Sequence, residues 1–577
     1  MMNRSYLTQL SLHQKNPQKW ISWGKKLLKQ GKNPFEIFYT PGIGEIILLG
    51  KKKREKLDLP PALQPLSLEP RLSTLYRENK NLFRKKLFTL LEEKVSQIEN
   101  LRGVNRRPTQ GKNLLSGWGA VVTNKKRVLG FGEVPDGGEW ITRGKCDCYE
   151  MATEGKIWKM LALAIDVSEI TDSRQHDQYV FAILKILQST RISLIQFEDF
   201  DGISAFRILK KARKILHVPL FNDDIEGTAW ILWMAKLAAK GRSIITSSKF
   251  KVQSSKLNLK AHDIRKIKFL LRSESVHARK EGTLLFRDSL FFFHGGGAAA
   301  IGGGIFFKKM LLKMYLHSGI SKVQAIRLIN RQIILTDSHG LLYKGRTSKI
   351  KEGQKQEFKP FQKDLLLREK RILERLNARG QIISLEKCID FYGQHFLGRN
   401  GTIFLIGLTG HPGQFNEKVI RTARTVVNMH NPHSDIFIDS GSNPTYLTEI
   451  LTKKESHLFQ KSSPDEQRKI LAQAVLRVKK AANSLVVLTT GSPFHVPNFP
   501  IGQLNNLFGF PAAGLAVLTR KAHAITDELG ESVAQANVEF LINHYPKALK
   551  DGMLCPPIES IFEMTKNAIN TRGSQRD

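Results

Sequence analysis

The amino-acid sequence predicts an α/β protein built on a doubly wound parallel sheet, with a mostly helical N-terminal domain and a second α/β domain. Short apolar runs that end in carboxylates or in Gly- and Ser-containing turns recur along the chain, and helical patterns separate them. Strands that alternate with helices in this way form parallel sheets covered by helices. The length of 577 residues exceeds what a single core supports, so we expect several domains.

Three domains are predicted from these patterns. Residues 1–92 are mostly helical and basic, with a proline-rich passage near residue 60. Residues 93–222 form the second α/β domain, which the mostly helical tail at 507–577 completes. Residues 223–506 form the doubly wound domain. Within it, the stretch at about 243–284 is polar, basic and poorly periodic, which indicates an inserted surface segment.

The strands are predicted from apolar runs bounded by turns. In the second α/β domain, a β-rich stretch begins at Val121, and buried strands that end in carboxylates are expected within 192–200 and 218–224. An apolar helix follows the second of these strands. In the doubly wound domain, strands are expected within 288–294, 332–340, 402–410, 435–444 and 484–493.

The composition limits the class of protein. Against 90 Lys and Arg stand 52 Asp and Glu, a net charge of +38, and the basic residues occur in every segment. We interpret this charge as a general surface property that attracts anionic substrates, although it leaves nucleic-acid binding open. Four cysteines do not make a disulfide framework in a chain of this length. The N-terminus lacks an apolar signal segment, so we expect a cytoplasmic protein without a membrane span.

A glycine-rich turn follows the predicted strand at 288–294. Residues 295–300 read GGGAAA and fit the dinucleotide-binding pattern G-x-G-x-x-A, with Gly295, Gly297 and Ala300 at its fixed positions. Glycines at such a turn let the backbone approach a pyrophosphate at the N-terminus of the next helix. The sequence therefore predicts a Rossmann-like domain that binds a dinucleotide.

Asp337 ends the strand after this turn. A carboxylate at that position accepts hydrogen bonds from the ribose hydroxyls of NAD and repels the 2′-phosphate of NADP. The sequence therefore favours NAD, while Ser338, Lys344 and Arg346 nearby would tolerate NADP.

Carboxylates also end two strands of the second α/β domain. Glu198 and Asp199 close the strand within 192–200, and Asp223 and Asp224 follow Asn222 at the end of the next strand. Because the carboxyl ends of parallel strands lie at one edge of a sheet, we expect these side chains to be close together. They would form a site for Mg²⁺ or Mn²⁺. The alternative is that residues 222–224 cap a helix.

A second glycine cluster does not fit a P-loop. Five residues separate Gly138 from Gly144, whereas the P-loop has four. Cys146 stands where a Ser or Thr would hold magnesium. This spacing excludes ATP or GTP hydrolysis of the P-loop type.

The ordered motifs resemble those of the malic enzyme family. The most specific match is LIQFEDF at 194–200, followed by FNDDI at 221–225. The other matches are FYTPGIG at 38–44, RVLGFG at 127–132, Gly144-Lys145, SNPT at 442–445, GSPF at 491–494, GQLNN at 502–506 and CPP at 555–557. The resemblance implies a divergent, strongly basic member that oxidises and decarboxylates malate to pyruvate. It also implies NAD or NADP and Mg²⁺ or Mn²⁺ as cofactors, and a homodimer or homotetramer.

The resemblance further implies roles for individual residues. Tyr39 would be the general acid and Lys145 the catalytic base, supported by Asp223. Glu198, Asp199 and Asp224 would be the metal ligands. The implied binding residues are Arg127 for the substrate carboxylate, Asn506 for the substrate, and Asn443 for both substrate and nicotinamide.

Two alternative functions stay open. An enzyme of the malolactic type would use the same side chains and retain the cofactor, and it would release lactate instead of pyruvate. A catalytically impaired family member could instead bind anionic partners, including nucleic acid, through its basic surface.

Overall fold

The chain divides into two compact units. The computed structural model describes residues 17–30, 32–35, 43, 46–47, 54, 59–104, 113–128, 133–246, 286–346, 358–378, 380–441, 449–491, 496–519 and 522–570. Unit 1 comprises residues 1–227, 506–533 and 557–577. Unit 2 comprises residues 228–505 and 534–556.

The strands of the described residues belong to two sheets. In chain order they are β1 (Leu66–Leu68), β2 (Gly119–Thr123), β3 (Met160–Ile165), β4 (Leu194–Glu198), β5 (Leu220–Asn222), β6 (Leu290–His294), β7 (Ile333–Asp337), β8 (Gly340–Leu341), β9 (Ile403–Gly407), β10 (Ile436–Ser440), β11 (Val486–Thr490) and β12 (Ile501–Gln503). The first five strands form the sheet of unit 1, and the other seven form the sheet of unit 2.

Helices make up most of the remaining described chain. In chain order they are α1 (Pro17–Lys29), α2 (Pro70–Glu78), α3 (Lys80–Leu101), α4 (Trp140–Ala152), α5 (Ser173–Ser189), α6 (Gly202–Ile215), α7 (Thr228–Thr246), α8 (Ala298–His317), α9 (Lys322–Gln332), α10 (Lys370–Arg375), α11 (Leu385–Phe396), α12 (Glu417–His430), α13 (Lys453–Lys461), α14 (Pro464–Ala481), α15 (Phe510–Leu518), α16 (Asp527–His544), α17 (Pro546–Asp551) and α18 (Ile561–Asn570).

The sheet of unit 1 is parallel throughout. Its strand order is β1-β3-β2-β4-β5. Strands β2 to β5 are buried along their whole length, as expected for apolar strands covered on both faces. From β2 the chain crosses first to β3 on one side and then to β4 on the other. The carboxyl ends of β2 and β4 therefore form the crevice in which α/β proteins bind ligands.

The sheet of unit 2 is doubly wound. Its strand order is β12-β11-β10-β9-β6-β7-β8, and every neighbouring pair is parallel except β7 with β8. β6 lies between β7 and β9, so the chain order of the strands reverses between β6 and β9. α8 begins four residues after β6 ends. The predicted α/β class and the doubly wound sheet are confirmed.

Some segments differ from the sequence-based expectation. Residues 66–68, in the segment predicted as helical, form β1 and pair with β3. The stretch predicted as β-rich from residue 121 contains only β2 among its described residues, and the chain turns at Lys125, whose φ is 60°. Residues 243–246 complete α7, and 247–285 lie outside the described residues. The division into three domains stays a prediction.

Among the helices of the described chain, none combines the length and the apolar character that a membrane-spanning helix needs.

Candidate active site

Three carboxylates meet at the carboxyl end of the unit 1 sheet. Glu198 is the last residue of β4, Asp199 follows it, and Asp224 lies in the turn after β5. Each offers an oxygen, and these oxygens lie within 4.8 Å of one another. Glu198 and Asp199 are buried, and Asp224 is half-buried. The structure thus brings together the three residues that the sequence predicted as metal ligands.

The backbone beside the carboxylates is unusual at two points. Asp199 has a φ of 53°, a left-handed conformation that few non-glycine residues adopt, and its N–H donates to Asp224 Oδ2 at 2.8 Å. Residues Asp223–Gly227 form a π-helical turn, a geometry frequent at functional sites. Asn222 Oδ1 accepts from the N–H of Ile225 at 2.9 Å. The capping alternative therefore holds for Asn222, whereas the two aspartates make other contacts.

Lys145 on α4 is the buried cation that faces this cluster. Its side chain is 1% exposed, and Nζ lies 3.0 Å from Glu198 Oε1 and pairs with Asp223 Oδ2. Asn506 Nδ2 donates to Oδ2 and to the backbone oxygen of Asp223, both at 3.1 Å. Gly227 follows in the same turn, and a side chain there would overlap the carboxylate of Asp223. Lys145, Asp223 and Asn506 therefore form one hydrogen-bonded group.

Burial and mutual repulsion raise the pKa of two of these carboxyls. Removal from water raises the pKa of Glu198 well above its usual value, and the charges of Asp223, Asp224 and Asp199 act in the same direction, opposed by Lys145. Desolvation and the charge of Asp223 likewise raise the pKa of Asp224. A divalent cation would offset this surplus of negative charge, and carboxylate oxygens are ligands that Mg²⁺ and Mn²⁺ prefer. The residues present therefore fit a hard divalent cation.

Arg127 follows β2 at the same edge of the sheet. Its side chain is exposed, and its backbone N–H donates to the oxygen of Asp199 at 3.1 Å. Its charge acts to lower the pKa of Asp224, against the larger effect of burial. An exposed guanidinium beside a carboxylate cluster suits the capture of an anionic substrate, because the fork of N–H groups matches a carboxylate.

The glycine-rich turn of unit 2 has the geometry that its sequence predicts. Gly295 has a φ of 148°, and a Cβ there would lie 2.7 Å from the backbone oxygen of Leu408. Gly297 is the N-cap of α8, and Ala300 is fully buried in its first turn. The turn therefore leads directly into a helix N-terminus, a position whose free N–H groups suit an anion such as phosphate.

Asp337 at the end of β7 is paired with an arginine. Its two carboxylate oxygens each accept from Arg346, both at 2.8 Å, and Oδ1 also accepts from the N–H of His339. Arg346 is fully buried and also donates to the backbone oxygens of Gly340 and Leu341. Sequence reasoning placed Arg346 near the nucleotide without identifying this pair, because the two residues are nine positions apart and a turn lies between them.

Two predicted site residues, Tyr39 and Asn443, lie outside the described residues, as do residues 129–132 and 442–445 of the matching motifs. Their roles, like those of the described residues, stay predictions.

Sequence reasoning missed two buried polar side chains beside the cluster, Tyr149 and Gln196. The Tyr149 hydroxyl donates to Gln196 Oε1 at 2.7 Å, and Gln196 Nε2 donates to Glu198 Oε2 at 3.0 Å. Gln196 precedes Glu198 by two positions, so alternation along β4 puts both on one face of the strand. That spacing is the signal that could have identified it.

The curated relatives that resemble this chain in sequence include proteins named as malic enzymes. The chain is 25% identical over 518 residues to the NAD-dependent malic enzyme of Aliivibrio fischeri (strain MJ11), covering 86% of this chain and 72% of the relative. It is 24% identical over 470 residues to the NADP-dependent malic enzyme of Sus scrofa, covering 77% of this chain and 65% of the relative. The crystal structure of Entamoeba histolytica malic enzyme matches 94% of this chain and 76% of its own, with 17% identity and a TM-score of 0.47.

Two family models also match the chain. The model of the malic enzyme N-terminal domain matches residues 116–213. The model of the malic enzyme NAD binding domain matches residues 273–460 and 452–571, which is more than half of the chain. The matched parts include β4, which ends in Glu198, and the glycine-rich turn after β6. On these matches, the chain belongs to the malic enzyme family.

Proposed function

We propose that the protein oxidises malate and decarboxylates it to pyruvate and CO₂, reducing NAD in a reaction that depends on Mg²⁺ or Mn²⁺. The observation that carries this proposal is the buried group of Lys145, Asp223 and Glu198 beside Asp199 and Asp224. It combines a base with carboxylate ligands at one edge of a parallel sheet. Family membership supports the same chemistry.

Glu198, Asp199 and Asp224 would hold the divalent cation. When bound, that cation supplies Lewis-acid polarisation of the oxygen on the reacting carbon. Arg127, which is exposed at the same edge, binds a carboxylate of malate. Asn506 holds Asp223 through its amide and adds a neutral hydrogen bond to the substrate.

Lys145 is the base for the oxidation step. In its neutral form it accepts the proton of the C2 hydroxyl while the hydride leaves C2 for the nicotinamide ring. Asp223 then stabilises the resulting ammonium group through the ion pair. Breaking the bond between C3 and its carboxylate releases CO₂, and C3 takes up a proton. We assign that proton to Tyr39 and the second substrate amide to Asn443, on the resemblance of their motifs.

The Asp337–Arg346 pair supports NAD as the preferred cofactor. If Arg346 were the residue to bind a 2′-phosphate, its guanidinium would have to leave Asp337 and two backbone oxygens, and these hydrogen bonds would be lost. A ribose hydroxyl of NAD requires no such rearrangement. Arg346 and the His339 N–H occupy three of the about four lone-pair sites of the Asp337 carboxylate, and Oδ2 keeps one for a further donor. The names of the relatives do not decide this point, since they include NAD- and NADP-dependent enzymes.

The test is turnover of the purified protein with malate, Mn²⁺ and either NAD or NADP. We expect reduced cofactor and pyruvate in equal amounts, with NAD the better cofactor, and loss of turnover when a chelator removes the cation. Restoring Mn²⁺ should restore the rate. Lactate without net reduction would instead establish malolactic chemistry. Turnover that survives chelation would contradict the role given to the three carboxylates.

A further inference from the structure

Glu198 is held in place by a chain of buried hydrogen bonds that the proposed chemistry does not use. Gln196 Nε2 donates to Glu198 Oε2 at 3.0 Å, and Lys145 Nζ lies 3.0 Å from Glu198 Oε1. Each carboxylate oxygen therefore has one fixed partner on the protein side. Because a carboxylate oxygen has two lone-pair sites, both oxygens keep capacity for a cation.

The Tyr149 hydroxyl fixes the orientation of the Gln196 amide. It donates to Gln196 Oε1 at 2.7 Å, and burial raises the pKa of this phenol well above its usual value, so it stays a donor. If the amide were flipped, its oxygen would face Glu198, and an ionised carboxylate, the form that binds a cation, has no proton to donate to it. The tyrosine therefore selects the orientation in which the amide donates to Glu198.

Tyr149 is itself held by helix α15. Its ring packs edge-on against Phe510 with centroids 4.9 Å apart, and the residue is fully buried. Gly514, one turn further along α15, leaves the space that the ring occupies, and a methyl group there would overlap it. The chain of contacts therefore runs from α15 through Tyr149 and Gln196 to Glu198, within unit 1.

We propose that Tyr149 and Gln196 are positioning residues that fix the Glu198 carboxylate for binding of the divalent cation. This inference rests on the proposed function, because it concerns the cation that Glu198, Asp199 and Asp224 would hold. Residues that orient metal ligands in this way change metal affinity when they are replaced, although they do not touch the metal.

The test measures Mn²⁺ binding to the full chain without substrate, by titration with detection of free Mn²⁺. Gln196→Met removes the donor at nearly constant volume, and we expect its Kd for Mn²⁺ to rise on the order of tenfold. Tyr149→Phe keeps the ring against Phe510 and frees the amide to flip, so we expect a smaller rise. The matched control is Tyr179→Phe, which removes the hydroxyl of another buried tyrosine in unit 1, and its affinity should not change.

The double variant Tyr149→Phe/Gln196→Met separates positioning from stability. It replaces both polar partners by apolar groups of similar shape, so the Tyr149 hydroxyl is not left buried without an acceptor, and Glu198 Oε2 alone loses a donor. We expect thermal stability above that of Gln196→Met while Mn²⁺ affinity stays equally low. In turnover assays the variants should show a raised KM for Mn²⁺ and a kcat that recovers at saturating Mn²⁺.

The outcomes distinguish this inference from the proposed function. If the unchanged protein binds Mn²⁺ and folded Gln196→Met and double variants bind it equally well, the positioning role is wrong and the proposed function stands. If the unchanged protein does not bind Mn²⁺, the metal-dependent function is overturned, and the inference with it. If a single variant does not fold, the double variant decides.

Discussion

Both compact units bury a lysine–aspartate ion pair, Lys145–Asp223 in unit 1 and Lys236–Asp439 in unit 2. In each pair the lysine comes from a helix, and the aspartate lies within one residue of the end of a strand. Neither side chain in either pair is more than 1% exposed. Each ammonium group also lies over a phenylalanine ring, at 4.6 Å from the Phe510 centroid in unit 1. By burial and pairing alone, the two cannot be told apart.

Their surroundings differ in charge. Asp223 has two carboxyl groups as neighbours, those of Glu198 and Asp224, and the pKa of each of these two neighbours is raised. Asp439 instead accepts from the hydroxyl of Thr489 at 2.5 Å, and burial lowers the pKa of Lys236. Among the described residues, the carboxylate group that suits a metal ion lies beside Lys145. A surplus of buried negative charge, rather than a buried ion pair, therefore marks the candidate active site.

The largest expected difference is in turnover. Lys145→Met should lower kcat on the order of a thousandfold, because it removes the proposed base. Lys236→Met should leave kcat per folded molecule close to that of the unchanged protein, since unit 2 uses this lysine for packing. Steady-state assays on variants checked for folding by circular dichroism would measure both. An equal loss in the two variants would mean that the distinction between the pairs is wrong.

Stability should respond to both pairs alike. Lys236→Met alone leaves Asp439 charged and buried, and we expect a loss of about 3–5 kcal/mol in unfolding free energy. Lys236→Met/Asp439→Asn should recover most of it, because the amide still accepts from Thr489. Lys145→Met/Asp223→Asn should likewise recover stability, but not turnover. Urea unfolding compared with the single variants checks this prediction, and turnover in the second double variant would contradict the role of Lys145.

The carboxylate cluster could be predicted from sequence because its parts are local. Apolar runs mark the buried strands, polar residues mark where they end, and parallel pairing brings those ends together. Strands β4 and β5 lie where these signals put them, and Glu198, Asp199 and Asp224 meet as expected. The positions of the three carboxylates could therefore be predicted from local sequence patterns and the general geometry of parallel sheets. Their roles stay predictions.

The second ion pair could not be predicted, because its partners are far apart in the sequence. Helix α7 reads as apolar, and Lys236 and Lys240 lie one turn apart within it, as two lysines on a solvent-facing stripe would. The structure buries both, and the partner of Lys236 is 203 positions away. The Asp337–Arg346 pair and the short strand β1 could not be predicted either, because tertiary packing rather than local sequence pattern decides both.

Lys240, which is buried one turn after Lys236 on α7, should make the stability of the protein depend on pH. Burial lowers its pKa from 10.5 to about 8, although Asp288 acts the other way, and its ammonium donates to Thr402. Between pH 8 and 10.5 the unfolded chain holds this proton and the folded protein does not, so the unfolding free energy rises with pH by about 3 kcal/mol. The Lys240→Met variant lacks this pH-dependent contribution to the unfolding free energy. The variant should be more stable than the unchanged protein at pH 7, and the difference should vanish near pH 10.5. A difference that does not change with pH would show that Lys240 is not desolvated.

The smallest expected effects come from the neutral donor of each pair. Thr489→Val removes the hydroxyl bonded to Asp439 and should cost about 2 kcal/mol of unfolding free energy, with turnover unchanged. Asn506→Ala removes the amide bonded to Asp223 and should lower kcat on the order of tenfold, because the proposed base then loses the group that orients its partner. Chemical unfolding and steady-state kinetics on both variants measure the two effects. If Thr489→Val lowered kcat as much as Asn506→Ala, the pair in unit 2 would have to act in catalysis, and charge surplus would no longer separate the functional pair from the structural one.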